Sequence, residues 1–269
     1  FAKTKLEMPL LHTLPFIAYL LAGLLLTRYF ILDTVTNQHR LFVNLILLVA
    51  VSSHGYILFE MWQHNGVFFG LTVSISFVAW VVATLLFLTS FTKPIHSLGM
   101  IVYPLSAVAV IVAFLFPGNQ GKLLSISIAA HVFLSIGAYA LLALAVGQSI
   151  LLSIQERYLH EHNFNTFVDK LPALQTMEDF LYQTLKMGFL LLTLSLISGY
   201  LYISDFFTQQ LTYKTILSVM AWIGFAIILF GHMVFGWRGK LIVLTTQIAF
   251  AVLVLSYFGT KLFIEVLVT

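Results

Sequence analysis

The sequence predicts an all-α, polytopic integral membrane protein with eight transmembrane helices, and three observations carry that prediction. Hydrophobic residues make up 60% of the 269-residue chain. Charged residues make up only 9%, against about a quarter in ordinary soluble domains, too little to keep a soluble surface of this size from aggregating. The apolar residues gather into runs of the roughly 20 residues that a helix needs to cross a hydrocarbon core of about 30 Å. A helix also satisfies its own backbone in lipid, as an open strand cannot.

Eight such runs can be placed, at about 10–31, 41–62, 67–91, 97–116, 124–153, 186–204, 214–234 and 241–264, all in one transmembrane domain spanning 1–269. Pro15 and Pro104 fall inside runs, where neighbouring helices tolerate a kink. Asn65–Gly66 and Gly118–Gly121 are turn signals. No soluble domain, low-complexity tract or internal repeat interrupts the pattern. The absence of cysteine excludes disulfides, thiolate ligands and covalent cofactor attachment through sulfur. The net charge of +3 comes from Lys and Arg spread over the loops, which argues for lipid and against nucleic acid as a partner. The chain opens on Phe1, which is not expected to be the native start.

Orientation follows from the basic residues of the loops. Arg28, Arg40, Lys93, Arg157, Lys170, Lys186, Arg238 and Lys240 lie on one side, and Lys3, Lys5, Lys122, Lys214 and Lys261 on the other. Eight against five puts both termini outside and the 154–185 loop in the cytoplasm. Within that loop, Thr176–Asp179 resembles a capping box. Met177, Leu181 and Leu185 follow at helical spacing, the pattern of an interfacial helix lying along the membrane before span 6. A docking site for a cytoplasmic partner is the alternative.

The chemistry has to come from histidine. Of nine histidines, His12, His39, His64, His96, His160 and His162 fall in loops or at span ends, where a solvated imidazole is the default. His54, His131 and His232 fall within or at the edge of apolar runs. An ionisable residue there is a functional hypothesis, although a histidine donating to a carbonyl across a helix interface explains it equally well. At 1.5 Å per residue His54 lies about 21 Å above Arg40, and His131 about 13 Å below Lys122, so both sit in the outer half of the membrane. Ser135, Ala138 and Leu142 follow His131 in helical register, a stripe of mostly small side chains against which something flat could lie. Two neutral imidazoles facing each other across an apolar slot suit axial ligation of a b-type haem, with His54 and His131 on the iron. No acid or third imidazole falls at that depth to complete a zinc site. His232 lies about 27 Å from Lys214, at the cytoplasmic boundary. It belongs to FGHMVFGWRGK, where Arg238 and Lys240 either anchor the helix or receive an anion such as a haem propionate. Its partners on that side would be His39 or His96.

Four stretches then carry a resemblance: HVFLSIGAYALLALAVGQSILLSIQERYL, LPALQTMEDFLYQTLKMGFLLLTLSLISG, KTILSVMAWIGFAIILFGHMVFGWRGK and SYFGTKLFIEVL. Together they resemble the cytochrome c assembly membrane proteins, the haem-handling superfamily of CcsA, CcmC and HemX types, and most closely its eight-span YpjD-like inner membrane branch. The resemblance implies that His131 matches a histidine that ligates haem near the outer face, that His232 matches one in the span after the outer loop, and that His54 matches one on an early span. Two departures stand out. The tryptophan-rich haem-docking motif of the synthases should precede span 7, but that loop reads SDFFTQQLTY. Their second outer histidine, after the last span, is missing from KLFIEVLVT. The chain is therefore expected to bind or handle haem in a bacterial inner membrane without catalytic chemistry of its own, with another membrane or cytoplasmic protein as a further partner. A ligand-free accessory subunit of HemX-like kind is the alternative. A transporter is disfavoured, because buried acids and paired interrupted helices are missing.

Overall fold

The computed structural model describes residues 3–32, 36–65, 71–91, 96–116, 126–160, 171–202 and 209–259. The Gly118–Gly121 turn, the middle of the 154–185 loop, the first half of SDFFTQQLTY and the KLFIEVLVT end lie outside them. Every regular element among the described residues is helical: α1 Lys3–Leu32, α2 Asn37–Asn65, α3 Leu71–Thr89, α4 His96–Leu115, α5 Ile126–His160, α6 Leu174–Tyr202, α7 Gln209–Phe235 and α8 Lys240–Val254. A π-helical turn, Leu255–Gly259, follows α8. Eight of these helices, as expected, are long and apolar enough to cross a membrane. The chain is a polytopic membrane protein. Its contacts divide it into two compact units, Phe1–Leu123 with Asn165–Pro172, and Leu124–Phe164 with Ala173–Thr269.

In the first unit each helix packs on the next and α4 closes back onto α1. Small residues set the α1–α4 seam: a Cβ on Gly23 would stand 2.7 Å from the Pro104 ring, so glycine there makes room for the proline. The Tyr19 and Tyr103 rings stack across the same seam at 6.2 Å between centroids, both fully buried. Between α2 and α3, Gly55 admits the Trp80 indole, whose Nε1 donates to the Val51 carbonyl at 2.8 Å. At the start of α2, Thr36 and His39 form a reciprocal cap, with His39 N–H donating to Thr36 Oγ1 at 3.2 Å and Thr36 N–H to His39 Nδ1 at 3.4 Å. Histidine thus takes the place of the usual Glu or Gln of a capping box.

The second unit closes in the same cyclic order, α5 to α6 to α7 to α8 and back to α5. The α5–α6 seam is the most extensive. Gly188 lies under Leu142 and Gly137 under Leu191, while Ser135 Oγ meets Ser195 Oγ at 2.6 Å. The stripe below His131 is therefore the bed of α6 and is filled by it. Small residues there allow close approach of two helices.

In the 154–185 region helix α5 runs on to His160, as the continuation of span 5 through Gln155 suggests, but Met177 to Leu185 form one continuous helix with span 6. Met177, Leu181 and Leu185 are buried in protein, and Gln148 Nε2 on α5 donates to the Met177 carbonyl at 3.3 Å. An apolar stripe at helical spacing seeks cover, and here α5 provides it in place of the membrane surface.

Candidate functional site: imidazoles at the helix seams

His54 projects from α2 into the centre of the first unit and is 1% exposed. Its Nε2 lies 2.9 Å from Ser76 Oγ on α3 and its Nδ1 3.4 Å from the Tyr19 hydroxyl on α1. Tyr19 also meets the imidazole edge-on, with centroids 5.8 Å apart. A neutral imidazole has one N–H and one lone pair, and hydroxyls can serve both. His54 is thus satisfied at both nitrogens by two neighbouring helices of its own unit.

His131 is held differently. Its Nδ1 lies 2.9 Å from the Ser195 carbonyl and 3.1 Å from Ser198 Oγ, both on α6. A carbonyl only accepts, so Nδ1 carries the proton and Nε2 carries the lone pair. No hydrogen bond to that Nε2 is found among the described residues. The ring lies over Gly199, where a Cβ would stand 3.0 Å from Cε1. One turn along, Ser135 Oγ donates to the His131 carbonyl at 2.8 Å.

His232 repeats the arrangement at the other end of α6. Its Nδ1 donates to the Trp237 carbonyl at 3.0 Å, an acceptor shared with the Tyr182 hydroxyl at 2.8 Å. The Tyr182 ring stacks on the imidazole, with centroids 3.3 Å apart. The turn that makes this possible explains most of FGHMVFGWRGK. Gly236 and Gly239 take positive φ, 65° and 63°, which glycine adopts without the penalty of a Cβ. The chain folds back so that Trp237 lies on Gly231, where a Cβ would come within 2.2 Å of the indole. Arg238 is exposed at the tip. The Glu178 carboxylate from α6 accepts from Gly239 N–H at 3.3 Å, and Glu156 Oε1 of α5 also faces Gly239. Protein carboxylates therefore already stand at the start of α8, beside the basic pair read from the sequence as an anion receiver.

Tyr182 and Ser195, which mark the two histidines along α6, are 13 residues apart, or about 20 Å at 1.5 Å per residue. Axial ligands of one iron sit on either side of a single atom, so His131 and His232 cannot share one. His54 and His131 belong to separate units, and each is held by its own unit; their pairing rests on the sequence alone. Of the other expected partners, His39 is tied to Thr36 and stacks on Tyr29 at 4.3 Å, and the His96 side chain lies outside the described residues. Among the described residues no group of three or more His, Cys, Asp or Glu could hold a metal ion. Spacing alone does not join Ser195, Ser198, Gly199 or Tyr182 to these histidines. The spacing Ser195–Ser198–Gly199, one small face of α6, was the available signal.

The fold and these imidazoles define a helical membrane protein with histidines on the seams between spans. Comparison with known proteins gives the family: residues 11–268 match the Cytochrome C assembly protein family, and the chain belongs to it. It is 30% identical over 132 residues to "Inner membrane protein YpjD" of Escherichia coli strain K12, covering 49% of this chain and 50% of that protein. The same identity and coverage hold for the proteins of that name in Escherichia coli O6:H1 and O157:H7. The match thus spans about half the length of these curated relatives. No solved structure matches.

Proposed function

We propose that this protein is a haem-binding or haem-handling protein of the bacterial inner membrane, without catalytic chemistry of its own, and that His131 is its principal haem ligand. The observation that supports this reading is the state of the imidazole. With Nδ1–H bonded to a backbone carbonyl, Nε2 is left as an oriented lone pair, the usual preparation of a metal-ligating histidine. His232 is prepared in the same way and stands as a second, separate candidate. His54 fits the role only if it gives up Ser76 or Tyr19, so the bis-imidazole site of His54 and His131 on a b-type haem requires a rearrangement of the first unit. Bound haem would supply a one-electron iron centre whose properties its axial ligands set. The chain's own residues would hold the imidazole in place and shelter it from water. Arg238, exposed beside Gly239, is proposed to meet anionic groups at that boundary.

Oxidised and reduced absorption spectra of the purified protein test the reading. A Soret band with a sharpened reduced α band is expected. A colourless protein that takes up no added haem would favour the second reading, a ligand-free accessory subunit acting through a partner protein. The closure of His54 on its own unit is the observation on that side. Both termini are proposed to lie outside. Labelling of Asn163→Cys in this cysteine-free chain should fail with an impermeant reagent applied from outside, and success would reverse the topology.

A further inference from the structure

We infer that the Ser195 carbonyl, the Ser198 side chain and Gly199 on α6 form a positioning device for His131, fixing which ring nitrogen is offered and where it points. The inference deepens the proposed function and rests on it for the identity of the ligand. The device does not depend on a ligand being present.

Three contacts build it. The Ser198 hydroxyl donates back to the Ser195 carbonyl at 2.9 Å, within its own helix. With its proton committed there, Ser198 Oγ turns a lone pair toward His131 Nδ1 at 3.1 Å. The Nδ1–H therefore points between two acceptors, Ser195 O and Ser198 Oγ, and no donor competes with it. The other tautomer would bring a lone pair up against the Ser195 carbonyl, and a flipped ring would put Cδ2–H in place of the donor. Gly199, the next residue on that face, admits the ring: a Cβ there would stand 3.0 Å from Cε1 and 3.4 Å from Nδ1. A side chain there would crowd the imidazole on the side of its acceptors. Ser135 meets Ser195 Oγ at 2.6 Å and holds the two helices in register one turn away. Electron density given to Nδ1–H by its acceptors makes Nε2 a stronger donor, and loss of such partners typically weakens metal binding about 10–100-fold.

The test uses the full chain in detergent micelles with ¹⁵N-labelled histidine, as wild type, Ser198→Ala, Ser198→Thr and Gly199→Ala. Ring ¹⁵N shifts read the tautomer without haem, and titration with haem reads affinity. The wild type should show a single Nδ1–H tautomer for His131. Gly199→Ala should mix the tautomers and weaken haem binding about 10-fold; Ser198→Ala, which keeps the Ser195 carbonyl, should shift the ring ¹⁵N resonances, weaken haem binding and raise the reduction potential. Ser198→Thr, which keeps the hydroxyl, should behave as wild type and rules out a mere packing effect. An Nε2–H tautomer in the wild type, or ring shifts and haem affinity unchanged in both Ser198→Ala and Gly199→Ala, would overturn the inference. Altered ring shifts in those variants when no chain binds haem would uphold the positioning device and bring down the haem reading.

Discussion

The two units hold their seam imidazoles in opposite ways, His54 fully buried in the first and His131 and His232 half-buried in the second. Both are cyclic arrangements of four helices with small residues on their seams, and both carry a histidine among those seams. In the first unit, His54 is surrounded by hydroxyls from two neighbouring helices and closes its hydrogen bonding completely. In the second, His131 and His232 each give one proton to a backbone carbonyl, and among the described residues the other nitrogen has no hydrogen bond. A closed polar cluster stabilises and specifies a fold. A half-closed one holds a ring rigid while leaving it chemistry to do. The difference teaches that depth in the membrane does not set what an imidazole is bonded to; the groups facing each nitrogen do.

The strongest way to break this comparison is through the glycines that build each half. Gly231→Ala should lower stability by about 3 kcal/mol, the upper end for overpacking, because its Cβ would overlap the Trp237 ring. It should also displace the carbonyl shared by His232 and Tyr182. Gly55→Ala in the first unit meets Trp80 at 2.9 Å and should cost about 1 kcal/mol. Thermal unfolding in detergent compares the two, and equal losses would mean that the α7–α8 turn is no more constrained than an ordinary seam.

A smaller effect sharpens the role of His54. His54→Ala leaves a cavity and removes the partner of both Ser76 and Tyr19, so a loss of about 2 kcal/mol is expected. Helical content should remain. A variant as stable as the parent would mean that the closed cluster contributes nothing to the fold. Smaller still, Trp80→Phe keeps the ring but removes the bond from Nε1 to the Val51 carbonyl. It should cost about 0.6 kcal/mol, the average for such bonds between membrane helices, and a loss several times larger would show that the indole fixes the α2–α3 register.

Much of the fold was legible in the sequence because lipid imposes length and composition on every span. Residues 177–185 show where that legibility ends. Met177, Leu181 and Leu185 repeat at helical spacing whether the stripe meets a membrane surface or another helix, and only the structure shows α5 over them. The stripe of Ser135, Ala138 and Leu142 misled for the same reason: small side chains make room, and α6 rather than a flat ligand fills it. At the site, the sequence raised two uses for His131, a ligand or a partner for a neighbour's carbonyl. The structure shows the carbonyl at Nδ1 and leaves Nε2 for the other use. Ser195 and Ser198, 64 and 67 positions along the chain, could not be assigned to it from spacing.

The most direct test of the account sets His131 against His54 in one experiment. Wild type, His131→Ala, His232→Ala and His54→Ala are each purified, given haem, and followed through the Soret and reduced α bands alongside thermal unfolding. The account predicts that His131→Ala loses the wild-type spectrum while unfolding near the wild-type temperature, and that His54→Ala unfolds earlier. A wild-type spectrum in His131→Ala, with the bands lost only in His54→Ala or His232→Ala, would contradict it.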